Sequence, residues 1–371
     1  MATTYKSFLS NDITNTRTLL HEAIPITGSI LSGTYNNGNK LALGSENNIK
    51  TYGHGMFESV YDYPFLSSSA NHIFDITCGY SSNSDLSASA NTQNAKKINI
   101  YNQMAQYLNG YDHTGSIKEF IQPGTGATMR EVFFVPFSRL LTKDEIKKGS
   151  FTLELGAKDA FDSTGVLFNE RLKLTDASGS TGYNVDSPAG EYGELYATAS
   201  TNLNAAGLLA ADQSYAAGLL YYQAGIAVVT GSVFSDVADG GIINNATNTV
   251  RFDLTTGATG FNSTTGSTIA ATADAVRARV YNISYNNTTE LNSTIYFCRA
   301  NHNDFNYSSN PTYLTGSKIR VKTRAADAPV TYITTIGLYS ADNELLAVAK
   351  LSEPLRKDPT NELTLRVRLD Y

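Results

Sequence analysis

The strongest constraint on the fold is a two-residue hydrophobic period in the last hundred residues. Alternating apolar and polar residues form short segments separated by turn residues, as expected where successive side chains point to opposite faces of a sheet. This pattern predicts strands near residues 277–285, 290–299, 317–325, 331–339, 344–351 and 362–370. Short strands at this spacing are typical of an antiparallel β-sandwich.

A tight hairpin is predicted at Asp342–Asn343. Ile333, Ile336 and Leu338 alternate before this pair, and the apolar run 345–348 follows it. Asn and Asp favour tight turns between strands, so the two runs are expected to pair with each other.

The same two-residue period begins earlier in the chain. Phe151, Leu153 and Leu155 alternate with less apolar residues, which indicates a strand from 151 onward. Residues 216–234 suit either a buried helix or two buried strands. The β-branched content of 226–233 favours strands there.

Two helices are predicted in the first half of the chain. Apolar residues recur every three or four positions in 94–108, which indicates an amphipathic helix. Thr142 and Glu145 have the spacing of a capping box, followed by Lys147 and Lys148, and they predict a second, short helix.

The predicted fold class is mainly β, with antiparallel β-sandwich domains, one or two short helices and long loops. Residues 1–30 are interpreted as an N-terminal arm or short helix that would stop at Pro25. The other segments are a loop-rich region at 31–150, a β domain at 151–275 with a Gly-, Thr- and Asn-rich insert at 235–275, and a C-terminal antiparallel β-sandwich domain at 276–371.

The low content of charged residues indicates which partners to expect. Charged residues make up 17% of the chain, against roughly 25% in an average soluble domain. Asn, Ser, Thr, Gly and 23 tyrosines replace them. The formal net charge of −6 argues against duplex DNA as the main partner.

One local strip of basic residues is an exception to the low positive charge of the chain. Lys318, Arg320, Lys322 and Arg324 alternate with uncharged residues, which places four cations on one face of a predicted strand. We interpret these cations as surface charges of a solvated strand, or of an edge strand that they keep from pairing with another chain. Binding of phosphate or of an acidic partner is the alternative.

The sequence contains few features that indicate a cellular compartment. The most apolar stretch, Tyr215–Val229, is shorter than the roughly 20 residues of a membrane helix, so no span is expected. The N-terminal residues do not resemble a secretion signal. Cys78 and Cys298 belong to no CxxC pair and are interpreted as buried free thiols, in keeping with a reducing cytoplasm.

A search for catalytic, cofactor and metal motifs assigns no residue. The glycine-rich segment Gly33–Lys40 has Asn39 where the phosphate-binding lysine of a P-loop belongs, and Gly124–Met129 precedes a strand-like run, so it is interpreted as a turn. No GxSxG motif is present, and Asp75 and Glu191 are acids without a recognisable partner. The histidines are scattered, at His21, His54, His72, His113 and His302. We therefore expect a protein that is not an enzyme and has neither cofactor nor metal.

The predicted hairpin carries a family resemblance. Tyr332–Lys350, with its Ile-Gly-Leu-Tyr strand and its Leu-Ala-Val-Ala-Lys strand, resembles a pattern in tail, tail-fibre and baseplate-associated proteins of tailed phages. Segments 137–145, 187–192 and 305–311 are similar to virion structural proteins of contractile-tailed marine phages, such as those that infect cyanobacteria.

The resemblance implies a structural subunit of the tail, baseplate or neck, assembled in the bacterial cytoplasm and bound to other virion proteins and copies of itself. The arm at 1–30 and the insert at 235–275 are then expected to embrace neighbouring subunits. A module that binds host-surface glycans through stacked tyrosines is the alternative function.

Overall fold

The computed structural model describes residues 5–25, 49–122, 126–158, 170–199, 214–234, 268–277, 280–307, 314–315, 318–319, 326 and 329–371. Its helices are α1 (Asn94–Leu108), α2 (Arg139–Thr142) and α3 (Ile269–Arg277), with 3-10 turns at Ser10–Asp12 and Gly231–Phe234. Its strands are β1 (Ile13–Pro25), β2 (Ile49–Thr51), β3 (Glu58–Tyr61), β4 (His72–Tyr80), β5 (Phe120–Ile121), β6 (Thr128–Met129), β7 (Glu131–Pro136), β8 (Glu145–Ile146), β9 (Thr152–Lys158), β10 (Glu170–Thr175), β11 (Asn184–Ser187), β12 (Gly190–Ala199), β13 (Ser214–Tyr221), β14 (Ile226–Thr230), β15 (Val280–Ala300), β16 (Leu314–Thr315), β17 (Lys318–Ile319), β18 (Thr331–Tyr339), β19 (Leu345–Lys357) and β20 (Leu363–Asp370).

The predicted class, a mainly β fold built from antiparallel strands with few helices, is confirmed. Contacts divide the chain into two units. The larger unit is Leu20–Thr289, and the smaller unit combines Met1–Leu19 with Glu290–Tyr371. The predicted boundaries near residues 150 and 275 lie inside the larger unit.

The larger unit is organised around one long antiparallel path of strands. Its order is β9-β10-β12-β13-β14-β7-β4-β3-β2, and the first residues of β15 lie beside β9. Val228 faces Phe134 on one side and Leu219 on the other, which fixes the register of three central strands. A shift of one residue would turn each side chain to the opposite face.

The core of the larger unit lies at these central strands. Every residue of β14 is buried, as are Val132–Val135 of β7, so their sequences are continuously apolar instead of alternating. Helices α1 and α3 pack against β4. A Cβ atom at Gly79 would lie 2.7 Å from the carbonyl oxygen of Lys97, so only glycine allows helix α1 to approach this closely.

A buried carboxylate stabilises the turn that precedes β9. Asp176 accepts hydrogen bonds from the backbone N–H groups of Gly149 (2.7 Å) and Phe151 (2.9 Å) and from the Tyr222 hydroxyl (3.1 Å). Burial raises the pKa of Asp176, while the three hydrogen bonds oppose that shift. The cost of burying the charge exceeds the stabilisation of the carboxylate by these donors, so folding favours the protonated form of Asp176 relative to the unfolded chain.

Substitution Asp176→Asn should destabilise the larger unit by about 1–3 kcal/mol, because the amide group cannot accept from all three donors. The raised pKa means that the folded state binds the proton more tightly than the unfolded state. The stability that wild type holds over the variant should therefore fall as the pH rises from below the ordinary aspartate value through the raised one.

Urea unfolding at several pH values measures this difference. The matched control is Asp85→Asn, at an exposed aspartate, and it should be nearly neutral. A difference between wild type and Asp176→Asn that grows with pH would contradict the assignment.

The smaller unit contains strands and no helix longer than a turn among its described residues. Residues 290–300 of β15 pair antiparallel with β20, from Ser293 opposite Asp370 to Ala300 opposite Leu363. On β15, Ser293 and Thr294 are also hydrogen-bonded to residues of β1. Strands β18 and β19 form a separate two-stranded hairpin, Thr331–Lys357, called the C-terminal hairpin below.

Several sequence expectations are confirmed. The helix at 94–108 has the predicted bounds, and the segment 216–234 forms strands β13 and β14. The turn at Asp342–Asn343 connects β18 to β19, with Asn343 in the left-handed region at φ 64°. Asparagine tolerates this conformation better than most residues.

The second predicted helix is wrong. The helical turn is α2, which ends at Thr142, and Glu145–Ile146 form strand β8. Ile146 is fully buried and pairs with Asn287 of β15. This long-range pairing and burial outweigh the capping-box signal.

Other expectations need correction. Residues 13–25 form strand β1 and not a short helix, because they pair with β15. The two strands expected at 277–285 and 290–299 form one strand, β15. The loop-rich region includes strands β2, β3 and β4. Helix α3 includes the end of the predicted insert, and residues 235–267 of that insert lie outside the described residues.

Candidate functional site

Within the described residues, the two acids singled out in the sequence, Asp75 and Glu191, contact different partners. Segment Gly33–Lys40 lies outside the described residues, as do Arg320, Lys322 and Arg324 of the basic strip. Glu191 forms an ion pair with Lys148 at 2.5 Å. Within the described ranges there is no group of three or more His, Cys, Asp or Glu side chains placed to hold a metal ion.

The histidines occupy separate polar contacts. His21 lies 3.1 Å from the Thr288 hydroxyl, and His302 lies 3.4 Å from Glu362. His54 stacks on Tyr52, with ring centroids 5.1 Å apart. Each of these contacts orients a side chain, and none positions a histidine against a nucleophile.

One serine, aspartate and histidine do meet at the start of β4. Asp75 accepts from the Ser59 hydroxyl at 2.5 Å and lies 2.8 Å from His72 Nε2. The carboxylate, and not the imidazole, contacts the serine. This arrangement lacks the hydroxyl-to-imidazole contact that activates a serine nucleophile.

Both cysteines are free thiols in different surroundings. Cys78 is fully buried in β4, and this burial raises its pKa to about 12. Cys298 is only half-buried, so the prediction of a buried thiol is confirmed for Cys78 alone. A thiol with such a raised pKa holds little thiolate at neutral pH and is a poor nucleophile.

A polar cleft lies on the surface of the larger unit, with a volume of about 880 Å³ including its solvent-open part. Tyr192 donates a hydrogen bond to Asp186 at 2.7 Å, and Lys118 contacts the same carboxylate at 3.0 Å. These two partners, Tyr192 first, hold the pKa of Asp186 below its usual range. The cleft is lined by Asn109, Lys118, Glu119, Ile121, Gln122, Gly126, Asn184, Asp186, Tyr192, Glu194 and Leu219.

The acids of this cleft already have partners. Glu119 accepts from Ser81 and Asn83, and Glu194 accepts from the Tyr196 hydroxyl at 2.6 Å. These hydrogen bonds engage the carboxylates of Glu119 and Glu194 within the chain. The lining of the cleft is mostly polar, with amide, carboxylate and ammonium groups beside one tyrosine.

The smaller unit has little core of its own. Among its described residues, the buried apolar side chains are Ala300, Leu338 and Val367, whereas the main core cluster consists of residues of the larger unit. Its exposed large apolar side chains are Tyr5, Leu9, Ile13, Leu19, Leu291, Phe305, Tyr307, Tyr332, Tyr339, Leu345, Leu346, Val348 and Tyr371. Where exposed apolar side chains of this kind lie together, they mark interaction surfaces.

The C-terminal hairpin presents the largest share of that surface. Tyr332, Leu346 and Val348 are 63%, 68% and 51% exposed. Tyr339 packs edge-on against Tyr5 at 4.9 Å, yet both rings remain exposed. Two-stranded hairpins alone are marginally stable in water, so a hairpin this exposed needs support at its base.

A buried lysine supplies that support. The Lys357 ammonium at the end of β19 donates to Asn306 Oδ1 (2.7 Å), to the carbonyl of Asp358 (2.9 Å) and to the carbonyl of His302 (3.3 Å). The side chain is fully buried. These bonds join the base of the hairpin to the loop 301–307.

Substitution Lys357→Met should cost about 1–3 kcal/mol, because it leaves the buried amide oxygen of Asn306 without its ammonium donor. Hydrogen exchange of the amides in 331–357 measures the effect, and faster exchange of the hairpin is expected. Lys350→Met, at an exposed lysine of the same strand, should leave exchange unchanged. Equal protection in both variants would contradict an anchoring role.

Comparison of the chain with protein-family models, with curated proteins and with solved structures found no match. Among the described residues, every helix is too short or too polar to cross a bilayer.

Sequence reasoning missed both the cleft and the base of the hairpin. The cleft combines residues from α1 to β13 that are far apart in the chain, and no local spacing links them. Lys357 has the sequence context of an ordinary solvated lysine. The sequence contains the Tyr and Leu residues of the hairpin, but it does not indicate that their side chains are exposed.

Proposed function

We propose that this protein is a structural subunit of a tailed-phage virion, located in the tail, baseplate or neck, that acts through protein-protein interfaces. The observation that carries the proposal is the sparse core of the smaller unit beside its many exposed apolar side chains. Such a unit gains most of its stability when another chain covers it.

The chemistry of this surface supports an interface more than a solvated face. Interface centres are depleted of charge and enriched in tyrosine. Strand β18 contributes Tyr332 and Tyr339 and carries no charged residue, and charged residues are only 17% of the whole chain. Residues 13–23 of the expected arm are exposed throughout, although they form a strand. The arm and the hairpin thus offer extended areas to neighbouring subunits.

The resemblance to phage proteins supports the choice of particle. Its best-defined part, Tyr332–Lys350, lies within the exposed C-terminal hairpin. In this proposal the chain assembles in the bacterial cytoplasm and ends in the virion, with other virion proteins and copies of itself as partners. Nucleic acid is not its main partner.

Truncation of apolar side chains on the hairpin tests the proposal. The triple variant Tyr332→Ser, Leu346→Ser and Val348→Ser should fold, because all three side chains are exposed, and should fail to enter particles. Incorporation is measured by quantifying the chain in purified virions made from a phage genome that carries the variant. We expect a loss of at least about tenfold.

The matched control removes equally apolar side chains elsewhere. Leu66→Ser and Leu140→Ser change leucines of the larger unit that are 88% and 85% exposed, and they should enter particles normally. Virions that lack the wild-type chain yet are complete and infectious would overturn the proposal.

Glycan binding is a second candidate function, favoured by the polar cleft of the larger unit. Tyr192 offers part of an aromatic ring and Asn184 an amide group suited to sugar hydroxyls, whereas the amides of Asn109 and Gln122 are hydrogen-bonded within the chain.

An array of bacterial surface glycans tests the second candidate. Bound glycans should lose about tenfold in affinity with Tyr192→Ala or Asn184→Ala. Tyr107→Ala, at an exposed tyrosine on α1, is the control and should bind like wild type. The absence of binding to any glycan would remove this function and leave the structural role untouched.

A further inference from the structure

We propose that the larger unit binds ferric iron, Fe³⁺, at a cluster of side chains on the part of its sheet formed by β2, β3 and β4. The ligands, called the tyrosine cluster below, are Tyr52, Tyr61, His72 and Asp75. The inference goes beyond the proposed function and does not depend on it.

Three neighbouring strands bring the tyrosine cluster to one face of the sheet. On β3, Ser59 and Tyr61 are two positions apart and therefore point to the same face. Their partners on β4 are Asp75, opposite Ser59, and His72, opposite Tyr61. Tyr52 directly follows β2, the strand on the other side of β3. Strand pairing thus joins side chains from three separate parts of the chain.

A register shift in β4 places His72 beside Asp75. Residues three apart in a regular strand point to opposite faces. Here the pairing passes over one residue between Phe74 and His72, and the consecutive residues Ile73 and Phe74 are both buried. Bulges of this kind re-aim a side chain and are frequent next to functional sites. The side chains of His72 and Asp75 consequently share a face and remain accessible, at 33% and 26% exposed.

The contacts within the tyrosine cluster form a closed circle. Asp75 Oδ1 lies 2.8 Å from His72 Nε2 and accepts from Ser59 Oγ at 2.5 Å. Ser59 Oγ lies 3.3 Å from the Tyr52 hydroxyl, which is hydrogen-bonded to the Tyr61 hydroxyl. The aromatic rings of Tyr61 and His72 then meet edge-on, with centroids 5.6 Å apart. The four ligands therefore surround one small volume.

The spacing of the donor atoms suits a coordination sphere. In an octahedral site with metal–ligand bonds of about 2.0–2.1 Å, neighbouring donor atoms lie roughly 2.9 Å apart. The 2.8 Å between His72 Nε2 and Asp75 Oδ1 matches that spacing. The other carboxylate oxygen, Asp75 Oδ2, accepts no hydrogen bond from the described residues and offers a further donor. A metal ion would replace the protons that these groups share.

The types of donor select ferric iron. Phenolate and carboxylate oxygens are hard ligands, and imidazole suits iron. Two phenolates and one carboxylate supply three negative charges, which balance a trivalent ion in a half-buried site. The Lys50 ammonium contacts the face of the Tyr52 ring, 4.8 Å from its centroid, and leaves the hydroxyl to the cluster. Because two of its ligands are phenols, the cluster does not require a third His, Cys, Asp or Glu.

Deprotonation of the phenols also favours a strong Lewis acid. Burial, the hydrogen bond with Tyr52 and the charge of Asp75 raise the pKa of Tyr61. A ligand must be deprotonated to coordinate, so each phenol releases its proton to water as its bond to iron forms. Ca²⁺ and Mg²⁺ prefer sites made of carboxylate, carbonyl and water oxygens, which the tyrosine cluster does not provide.

Titration of the full-length chain with ferric nitrilotriacetate tests the inference, because phenolate bound to Fe³⁺ gives a visible charge-transfer band that the reagent alone lacks. After desalting, wild type should retain iron and show this band. Tyr52→Phe and Tyr61→Phe keep the ring and remove the donor, and each should weaken iron binding at least about tenfold. Tyr63→Phe, at an exposed tyrosine outside the cluster, is the control and should bind like wild type.

Zinc distinguishes a ferric site from a general metal site. Zn²⁺ binds His and carboxylate ligands and does not require phenolate. Retention of Zn²⁺ without retention of Fe³⁺ would overturn the assignment. The absence of the visible band from wild type, or equal iron binding by wild type and both phenylalanine variants of the cluster, would overturn it as well.

The outcome for the proposed function is read separately, from incorporation into virions. A chain that enters particles but binds no iron would overturn the ferric site alone. A chain that binds iron through the tyrosine cluster and is absent from virions would support the site and overturn the proposed role.

Discussion

Burial of apolar side chains in the central strands of the larger unit is the constraint on which the rest of the structure depends. Val132–Val135 of β7 and Ile226–Val229 of β14 are continuously apolar because both faces of these strands are buried, and the register between Val228 and Phe134 aligns them. Their backbone groups are satisfied by neighbouring strands, which is the only way to bury so much chain away from water. Helix α1 can add its apolar face to this core because Gly79 presents no side chain to it.

Buried polar groups then stabilise the places where the chain changes direction. Asp176 holds the turn before β9 through two backbone N–H groups, and Lys357 holds the base of the C-terminal hairpin through two carbonyls and an amide. Each satisfies backbone groups that a loop would otherwise leave without partners. Asp176 and Lys357 thus have structural roles. Considered in isolation, buried ionisable residues such as these would suggest a catalytic site.

The smaller unit follows a different principle, since its described residues bury few apolar side chains and expose many. A monomer that exposes Tyr332, Leu346 and Val348 on a two-stranded hairpin loses the stability that burying these side chains against a partner would add. The proposed function as an assembly subunit would give this exposure a physical reason, because a neighbouring chain would cover these side chains. The polar cleft of the larger unit differs in chemistry, because its lining combines carboxylates, amides and a tyrosine, and hydrogen bonds from Tyr192 and Lys118 lower the pKa of Asp186.

The sequence by itself determined those features that depend on local periodicity. The helix at 94–108 and the turn at Asp342–Asn343 follow from spacing and turn preference within a few residues, and both were predictable. Only the tertiary structure decided that 145–146 is a strand, that β15 continues through Asn286–Thr289, and that Lys357 is buried. It also decided which apolar residues remain exposed. Pairing and burial depend on residues far away in the chain, whose free-energy contributions exceed local propensities of a few tenths of a kcal/mol per residue.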